Sequence, residues 1–308
     1  MKKEYDVVII GGGPGGMTAA IYAKRAALST LVIEKQPFCG GQVLNTYEVD
    51  NYPGFPGIDG FSLSDKFHSH AKKLEAEFKI GEMKELRDEG ETKVVVLKKG
   101  EEIRAKAVVL AMGAVHKKAG VNGEDAMAGR GVSYCATCDG AFFRNKTVAV
   151  IGGGDVALED AIFLARACKK VYVIHRRDEF RGAKILQQKL FSLDNVEVLW
   201  DSVVDKIKGD DLVNGIDVRN VKTGAVKDIE LDGVFVAIGT QPDTKVLEGV
   251  VELDPAGYIV AGEDGITSVP GIFCGGDCRT KKLRQIVTSA SDGANCIFSL
   301  EAYLNSLA

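Results

Sequence analysis

The segment Asp6-Val7-Val8-Ile9-Ile10-Gly11-Gly12-Gly13-Pro14-Gly15-Gly16 decides the fold. Four consecutive β-branched residues, Val7 to Ile10, read as a strand buried on both faces, the habit of a parallel sheet. After the glycine turn a helical pattern runs from Met17 to Ala27, and a second strand, Thr30-Leu31-Val32-Ile33, ends at Glu34. Such a βαβ unit implies a right-handed crossover. In the spacing Gly11-x-Gly13-x-x-Gly16, the first glycine makes a tight turn and the second lets a pyrophosphate approach the backbone. The third permits close helix–sheet packing. Pro14 and Gly15 lie within this turn, and the pyrophosphate is expected on the positive N-terminus of the helix that follows. A ligand-free structural turn is the competing reading, and the flanking strand, the helix and the acid further on argue against it.

The same layout recurs. Thr147-Val148-Ala149-Val150-Ile151 leads into Gly152-Gly153-Gly154-Asp155-Val156-Ala157, a helix through Ala167 and a strand Val171-Tyr172-Val173-Ile174 ending at His175. Glu34 and His175 each stand 23 residues after the first glycine of their turn. What occupies that register differs. Glu34 offers a carboxylate to an unmodified ribose, whereas His175-Arg176-Arg177, with Arg181 following, offers guanidinium groups that bind a 2′-phosphate bidentately. An ordinary solvated basic face is the alternative, and the position at the end of the second strand disfavours it. The first site is therefore read as a dinucleotide site with a plain adenosine ribose, and the second as an NADP(H) site.

Each copy also ends in a strand that meets a small-residue turn, Val108-Val109-Leu110-Ala111-Met112-Gly113 and Val234-Phe235-Val236-Ala237-Ile238-Gly239. Residues from about 246 onward add a strand, Gly271-Ile272-Phe273-Cys274, then Gly275-Gly276-Asp277 and a final helix from about Arg284. They are too few for a separate α/β domain and are expected to complete the first fold. The expectation is an α/β protein of two Rossmann-like domains, the second inserted into the first. Residues 1–116 and 246–308 form one, and 117–245 the other. The insert is entered near 115–119 and left near 241–244.

Composition narrows the class. Glycine makes up 36 of 308 residues, well above the usual share of about 7%, with only 7 prolines and no three-residue period, so collagen-like and low-complexity readings fail. A net charge of −4 gives no basic excess for nucleic acid. No apolar run approaches the roughly 18 residues of a membrane span, and the start Met1-Lys2-Lys3-Glu4-Tyr5-Asp6 is unlike a signal peptide. A cytoplasmic address is expected, with no membrane and no nucleic-acid partner. Seven cysteines in so long a chain do not make a disulfide scaffold.

Two of the cysteines are spaced for chemistry. Ser133-Tyr134-Cys135-Ala136-Thr137-Cys138-Asp139-Gly140 places a Cys-x-x-Cys between the two phosphate turns, and in an α/β protein of this kind it reads as a redox dithiol. One thiol can be held as the thiolate that attacks disulfides. Zinc is the rival, but it wants four ligands and only Cys274-x-x-x-Cys278 offers more. No metal is expected. Asp139 can shuttle protons if burial raises its pKa, or it simply forms an Asp-Gly turn. Cys39, Cys168, Cys274, Cys278 and Cys296 read as small core residues. Trp200 reads as core, and His68, His70 and His116 fit no catalytic spacing.

Nearly the whole chain resembles the low-molecular-weight, bacterial-type thioredoxin reductases. The resemblance is carried by Gly11–Gly16, Gly40-Gly41-Gln42, Asn51-Tyr52-Pro53-Gly54, Cys135-Ala136-Thr137-Cys138-Asp139-Gly140, His175-Arg176-Arg177 with Phe180-Arg181, Gly276-Asp277 and Arg284-Gln285. It implies FAD in the discontinuous domain, NADPH in the insert, a homodimer, and thioredoxin as the protein substrate. It further implies that Glu34, next to Lys35, meets the FAD ribose. Gly41, Gln42 and Asn51 line the flavin, Ala111 and Gly113 lie beside it, Asp277 contacts the ribityl–pyrophosphate region, and Arg284-Gln285-Ile286 approach the isoalloxazine. Ile238 and Gly239 join the NADPH set.

Two departures stand out. Val156 occupies the place where the family commonly has serine, which removes one hydroxyl from the NADPH phosphate contacts. Ala141 precedes Phe142-Phe143 where many members carry a longer aromatic cluster.

The implied route runs from NADPH to FAD, to the Cys135–Cys138 disulfide, and by thiol exchange to thioredoxin. Because the nicotinamide site and the dithiol share the insert, rotation of that domain between half-reactions is expected. Spacing does not distinguish the two thiols. The reading adopted places Cys138 beside the flavin and Cys135 at the partner. A reductase of the same build serving another small redox carrier is the nearest alternative, and a flavoprotein sensor a more distant one.

Overall fold

The computed structural model describes residues 4–46, 49 and 51–307, with the side chains of Asn45, Thr137 and Cys138 outside that description. The chain divides into two compact units, one made of Met1–Val115 with Gln241–Ala308, the other of His116–Thr240. Both are α/β units built on parallel strands, and the second is inserted into the first, as the sequence predicts.

In the first unit, Glu4–Ile10 lies between Thr30–Glu34 and Glu102–Leu110 and is parallel to both. Glu77–Ile80 extends the parallel side, and Met83–Glu89 with Thr92–Leu97 extends the other as an antiparallel meander. The strand Glu102–Leu110 changes partner along its length. Its first half pairs with Thr92–Leu97, and its last three residues pair in parallel with Ile272–Cys274. The register Cys274↔Leu110↔Ile10 brings three strand ends level. Three turns consequently open side by side at the C-terminal edge of the sheet, where ligands of open α/β sheets bind.

The first helix spans Pro14–Arg25, starting three residues before the apolar pattern because Pro14 fits the first helical turn, where its missing N–H costs nothing. It ends before Ala27, whose φ of 59° is left-handed. The last helix, Ile286–Leu307, begins after Arg284 and Gln285 and packs against the first. Apolar side chains fill both faces of the sheet, Val8, Ile33, Leu110 and Ile272 on one and Val7, Ile9, Met17 and Ile297 on the other.

In the second unit all five strands of the main sheet are parallel, in the order Val196–Leu199, Lys170–Ile174, Thr147–Ile151, Gly233–Val236, Val132–Ser133. The helix Asp155–Ala165 follows the glycine turn, and an antiparallel sheet of Ser202–Gly209, Val213–Asn220 and Val226–Glu230 covers one side. The two crossing segments, Ala114–His116 and Thr240–Pro242, pair as a short ribbon.

Candidate functional site

In the first unit the turn after Ile10 is shaped by what a side chain would strike. Gly11 has a φ of 107°, and a Cβ there would stand 2.2 Å from the Ala111 carbonyl oxygen. A Cβ on Gly16 would stand 1.9 Å from the Gly11 carbonyl oxygen, so the helix enters against the turn with no room between them. Gly13 is the opposite case: a Cβ there meets nothing within 4 Å, which leaves space above the helix N-terminus. Glu34 Oε2 accepts a bond from the Gly12 N–H at 2.6 Å, and Oε1 accepts from the Gln36 N–H at 2.8 Å, fixing the carboxylate at the rim. Lys35 pairs with Asp243 at 2.9 Å.

The tail of the chain supplies the facing wall. Gly276 lies 3.6 Å from where a Cβ on Gly15 would be, so residues about 260 apart in sequence share one cradle. This wall is held by Asp292, which accepts bonds from the Gly276 N–H at 2.9 Å, from Arg279 at 2.7 and 3.0 Å, and from Lys281 Nζ at 2.8 Å. Burial works against its charge, yet the two cations hold its carboxyl below the ordinary value. Removing one member of such a buried set costs about 3–5 kcal/mol.

Asp277, beside this network, is different. Its Oδ1 is buried with no hydrogen-bond partner among the described residues, and burial pushes the carboxyl up despite Lys281 and Arg284 nearby. A buried acceptor without a donor is costly, and a hydroxyl-bearing ligand across the turn would satisfy it. The residues therefore fit a dinucleotide carrying a polyol. Asn51 donates to Gln285 Oε1 at 2.7 Å, Arg284 donates to the Asp277 carbonyl at 3.2 Å and lies over Tyr258, and the Gln42 amide donates to the Ala114 carbonyl. Gly41 opens the short 3-10 turn Gly41–Asn45, Gly113 follows Ala111 in the turn beside Gly11, and Ile286 starts the last helix.

The second unit repeats the cradle with one substitution that explains itself. A Cβ on Gly152 would stand 2.3 Å from the Ala237 carbonyl oxygen, matching the Gly11–Ala111 contact, and Gly154 again faces open space. At the third position Ala157 is fully buried and accommodated. Asp155 accepts from the Ala183 N–H at 2.6 Å, and the Gly153 carbonyl accepts from the Arg181 N–H at 2.8 Å, tying the arginine loop to the turn. Val156 is exposed on the first helical turn, and Ile238 and Gly239 follow Ala237 at the neighbouring strand end.

The structure separates His175 from the arginines it adjoins. Arg176, Arg177 and Arg181 are exposed, and among the described residues none of their guanidinium groups meets a carboxylate. His175 is buried beneath the turn, where a Cβ on Gly153 would stand 2.3 Å from its Nδ1, and it packs among Phe180 and Trp200. Burial, with the three arginines around it, lowers its pKa and keeps the ring neutral. The exposed guanidinium groups thus stand at the rim of the turn, and the imidazole lies beneath it.

Cys135 emerges just past Val132–Ser133, the edge strand parallel to Gly233–Val236. Two strand spacings, roughly 10 Å, separate that strand from the one carrying the Gly152 turn, and both leave the same edge of the sheet. Cys135 is disulfide-bonded, and Cys39, Cys168, Cys274, Cys278 and Cys296 are free. The Cys138 side chain lies outside the described residues. Asp139 donates its N–H to the Cys135 carbonyl at 3.2 Å. Cys274 and Cys278 have sulfurs 3.6 Å apart in the core of the other unit, and among the described residues no group of three His, Cys, Asp or Glu is placed to hold a metal.

One residue of this region escapes the sequence patterns. Glu124 is buried, accepting from the N–H groups of Ala119, Gly120 and Val121 at 2.9, 2.7 and 3.2 Å and from the Tyr134 hydroxyl at 2.8 Å. Asp292 escapes them likewise. Both are lone acids in unremarkable stretches, with partners that only the fold assembles.

Comparison with known proteins matches the pyridine nucleotide-disulphide oxidoreductase family over residues 5–293. The thioredoxin reductase of Bacillus subtilis strain 168 is 46% identical over 308 residues, covering 99% of this chain and 96% of the relative. Among solved structures, Lactococcus lactis thioredoxin reductase (FR conformation) superposes with a TM-score of 0.90 at 40% identity, covering 98% of this chain and 99% of that one. The thioredoxin reductase of T. acidophilum gives 0.87 at 33%, with complete coverage of both.

Proposed function

The chain belongs to the pyridine nucleotide-disulphide oxidoreductases, among the thioredoxin reductases, and from that premise we propose that it reduces the disulfide of oxidised thioredoxin through its own Cys135–Cys138 pair. It is an NADPH-dependent flavoprotein oxidoreductase that uses FAD and NADPH. The observation that carries the proposal is the placement of a disulfide-bonded Cys135 and the arginine-flanked Gly152 turn on one edge of one sheet.

When bound, FAD supplies a two-electron relay between NADPH and the protein disulfide. The chain's residues do the rest. Gly11, Gly13 and Gly16 seat the pyrophosphate on the Pro14–Arg25 helix, Glu34 accepts from the adenosine ribose, and Asp277 Oδ1 takes a hydroxyl of the ribityl region. Gln42, Asn51, Arg284 and Gln285 border the flavin. In the insert, the Gly152–Ala157 turn seats the NADPH pyrophosphate, and Arg176, Arg177 and Arg181 select the 2′-phosphate.

Two electrons and two protons open the Cys135–Cys138 disulfide to two thiols. The Cys135 thiolate then attacks the thioredoxin disulfide, forming a mixed disulfide and releasing one thioredoxin thiol. Cys138 attacks Cys135, which frees the second thioredoxin thiol and restores the intramolecular disulfide. Asp139, next to Cys138 in the chain, is the side chain proposed to relay protons in these exchanges.

The NADPH-binding turn and the dithiol belong to His116–Thr240, whereas the FAD-binding residues belong to the other unit, so the two halves of the cycle require a reorientation about the two crossing segments. The active form is a homodimer in the cytoplasm. NADPH consumption with a panel of oxidised carriers tests the substrate: turnover with thioredoxin supports the proposal, and turnover with a glutaredoxin-like carrier alone overturns it. Cross-linking the crossing segments is expected to stop turnover with FAD retained.

A further inference from the structure

Tyr134, the residue before Cys135, is held from two sides within its own unit. Its hydroxyl donates to Glu124 Oε1 at 2.8 Å, and its ring lies alongside that of His116, with centroids 6.3 Å apart and planes 26° from parallel. Glu124 in turn binds the Ala119, Gly120 and Val121 N–H groups, the stretch immediately after the first crossing segment. His116 is the last residue of that segment. A carboxylate with four donors has its acceptor sites filled and its position fixed. The residue preceding the redox cysteine is thus bonded to the place where the chain enters the insert.

We propose that Glu124 and Tyr134 are positioning residues that hold the segment entering Cys135 in its disulfide-closed conformation and tie it to the crossing segment. This rests on the dithiol role proposed above. The bond is recorded in the state where Cys135 is disulfide-bonded, and Tyr134 is the residue immediately before Cys135, whose disulfide ring must open. A charge-assisted bond made in the closed form and loosened in the open one biases the equilibrium toward the disulfide. Removing it favours the dithiol.

Tyr134→Phe is the discriminating variant, because it keeps the ring beside His116 and leaves Glu124 with its three backbone donors. The measurement is the reduction potential of the dithiol pair in the FAD-loaded enzyme, equilibrated against glutathione or dithiothreitol buffers, which requires no thioredoxin. Loss of the bond is expected to shift the equilibrium about tenfold toward the dithiol, close to 30 mV less negative. Glu124→Gln should shift it in the same direction, and the double variant should shift it no further than the larger single one. A merely structural role lowers the melting temperature and leaves the potential in place. An unchanged potential in a folded Tyr134→Phe enzyme overturns the inference, as do two single shifts that simply add. Thioredoxin turnover, read separately on the wild type, reports on the proposed substrate alone.

Discussion

The Gly15 carbonyl oxygen occupies the place where a side chain on Gly293 would have to go, 2.1 Å from the position of that Cβ. This contact lets the last helix lie directly on the first, and it brings the Gly276-Asp277 wall up to the Gly11–Gly16 turn.

Gly293→Ala is therefore expected to push the two helices apart. The cost is about 3 kcal/mol, and the loss of bound flavin should exceed what the fall in stability alone accounts for. Thermal melting with and without FAD, together with the flavin content of the purified protein, checks this.

Asp277→Asn separates binding from stability. The carboxyl of Asp277 is raised by burial above its ordinary value of 3.8, so the folded chain takes up its proton more readily than the unfolded one. In flavin-free protein the charge therefore costs nothing well below pH 3.8, and the cost grows as pH rises from there through the raised folded value. The variant should melt with the wild type at pH 3 and a few degrees above it at pH 8, while retaining less FAD. Melting curves of the flavin-free proteins across that range decide it. An equal gain at both pH values would show that the charge is not responsible.

Much of this was legible in the residues, and the remainder has identifiable causes. The two glycine turns and the strands beside them are local patterns, and the structure has strand, turn and helix where the glycines predict. Helix limits were less legible: the first helix starts at Pro14 because proline suits that position, which an apolar period starting at Met17 does not reveal. The change of partner along Glu102–Leu110 depends on Ile272–Cys274, which lies far away in sequence. His175 falls in the right register but faces the interior, since only the fold distinguishes it from Arg176. Glu124 and Asp292 carry no motif, because their partners come from separate segments.

Arg176→Ala and Arg177→Ala should each raise the KM for NADPH about tenfold or more, as expected when a guanidinium–phosphate contact is lost. The KM for NADH should stay within about twofold. Initial-rate kinetics with both nucleotides test this, and a parallel rise in the two constants would assign the arginines to general electrostatics.

The two glycine turns should also differ in tolerance. Gly16→Ala places a methyl group 1.9 Å from the Gly11 carbonyl oxygen and should abolish FAD retention. Ala157→Gly in the other turn removes a buried methyl group from a site that already accommodates it, and should cost no more than about 1–2 kcal/mol. Flavin content and NADPH affinity of the two variants give the comparison.

The most direct test of the central claim is NADPH-driven reduction of oxidised thioredoxin by the wild type and by Cys135→Ser, with flavin absorbance followed in the same samples. The account predicts sustained turnover in the wild type. In the variant, NADPH should still bleach the flavin while thioredoxin stays oxidised. Undiminished thioredoxin reduction by Cys135→Ser would contradict it.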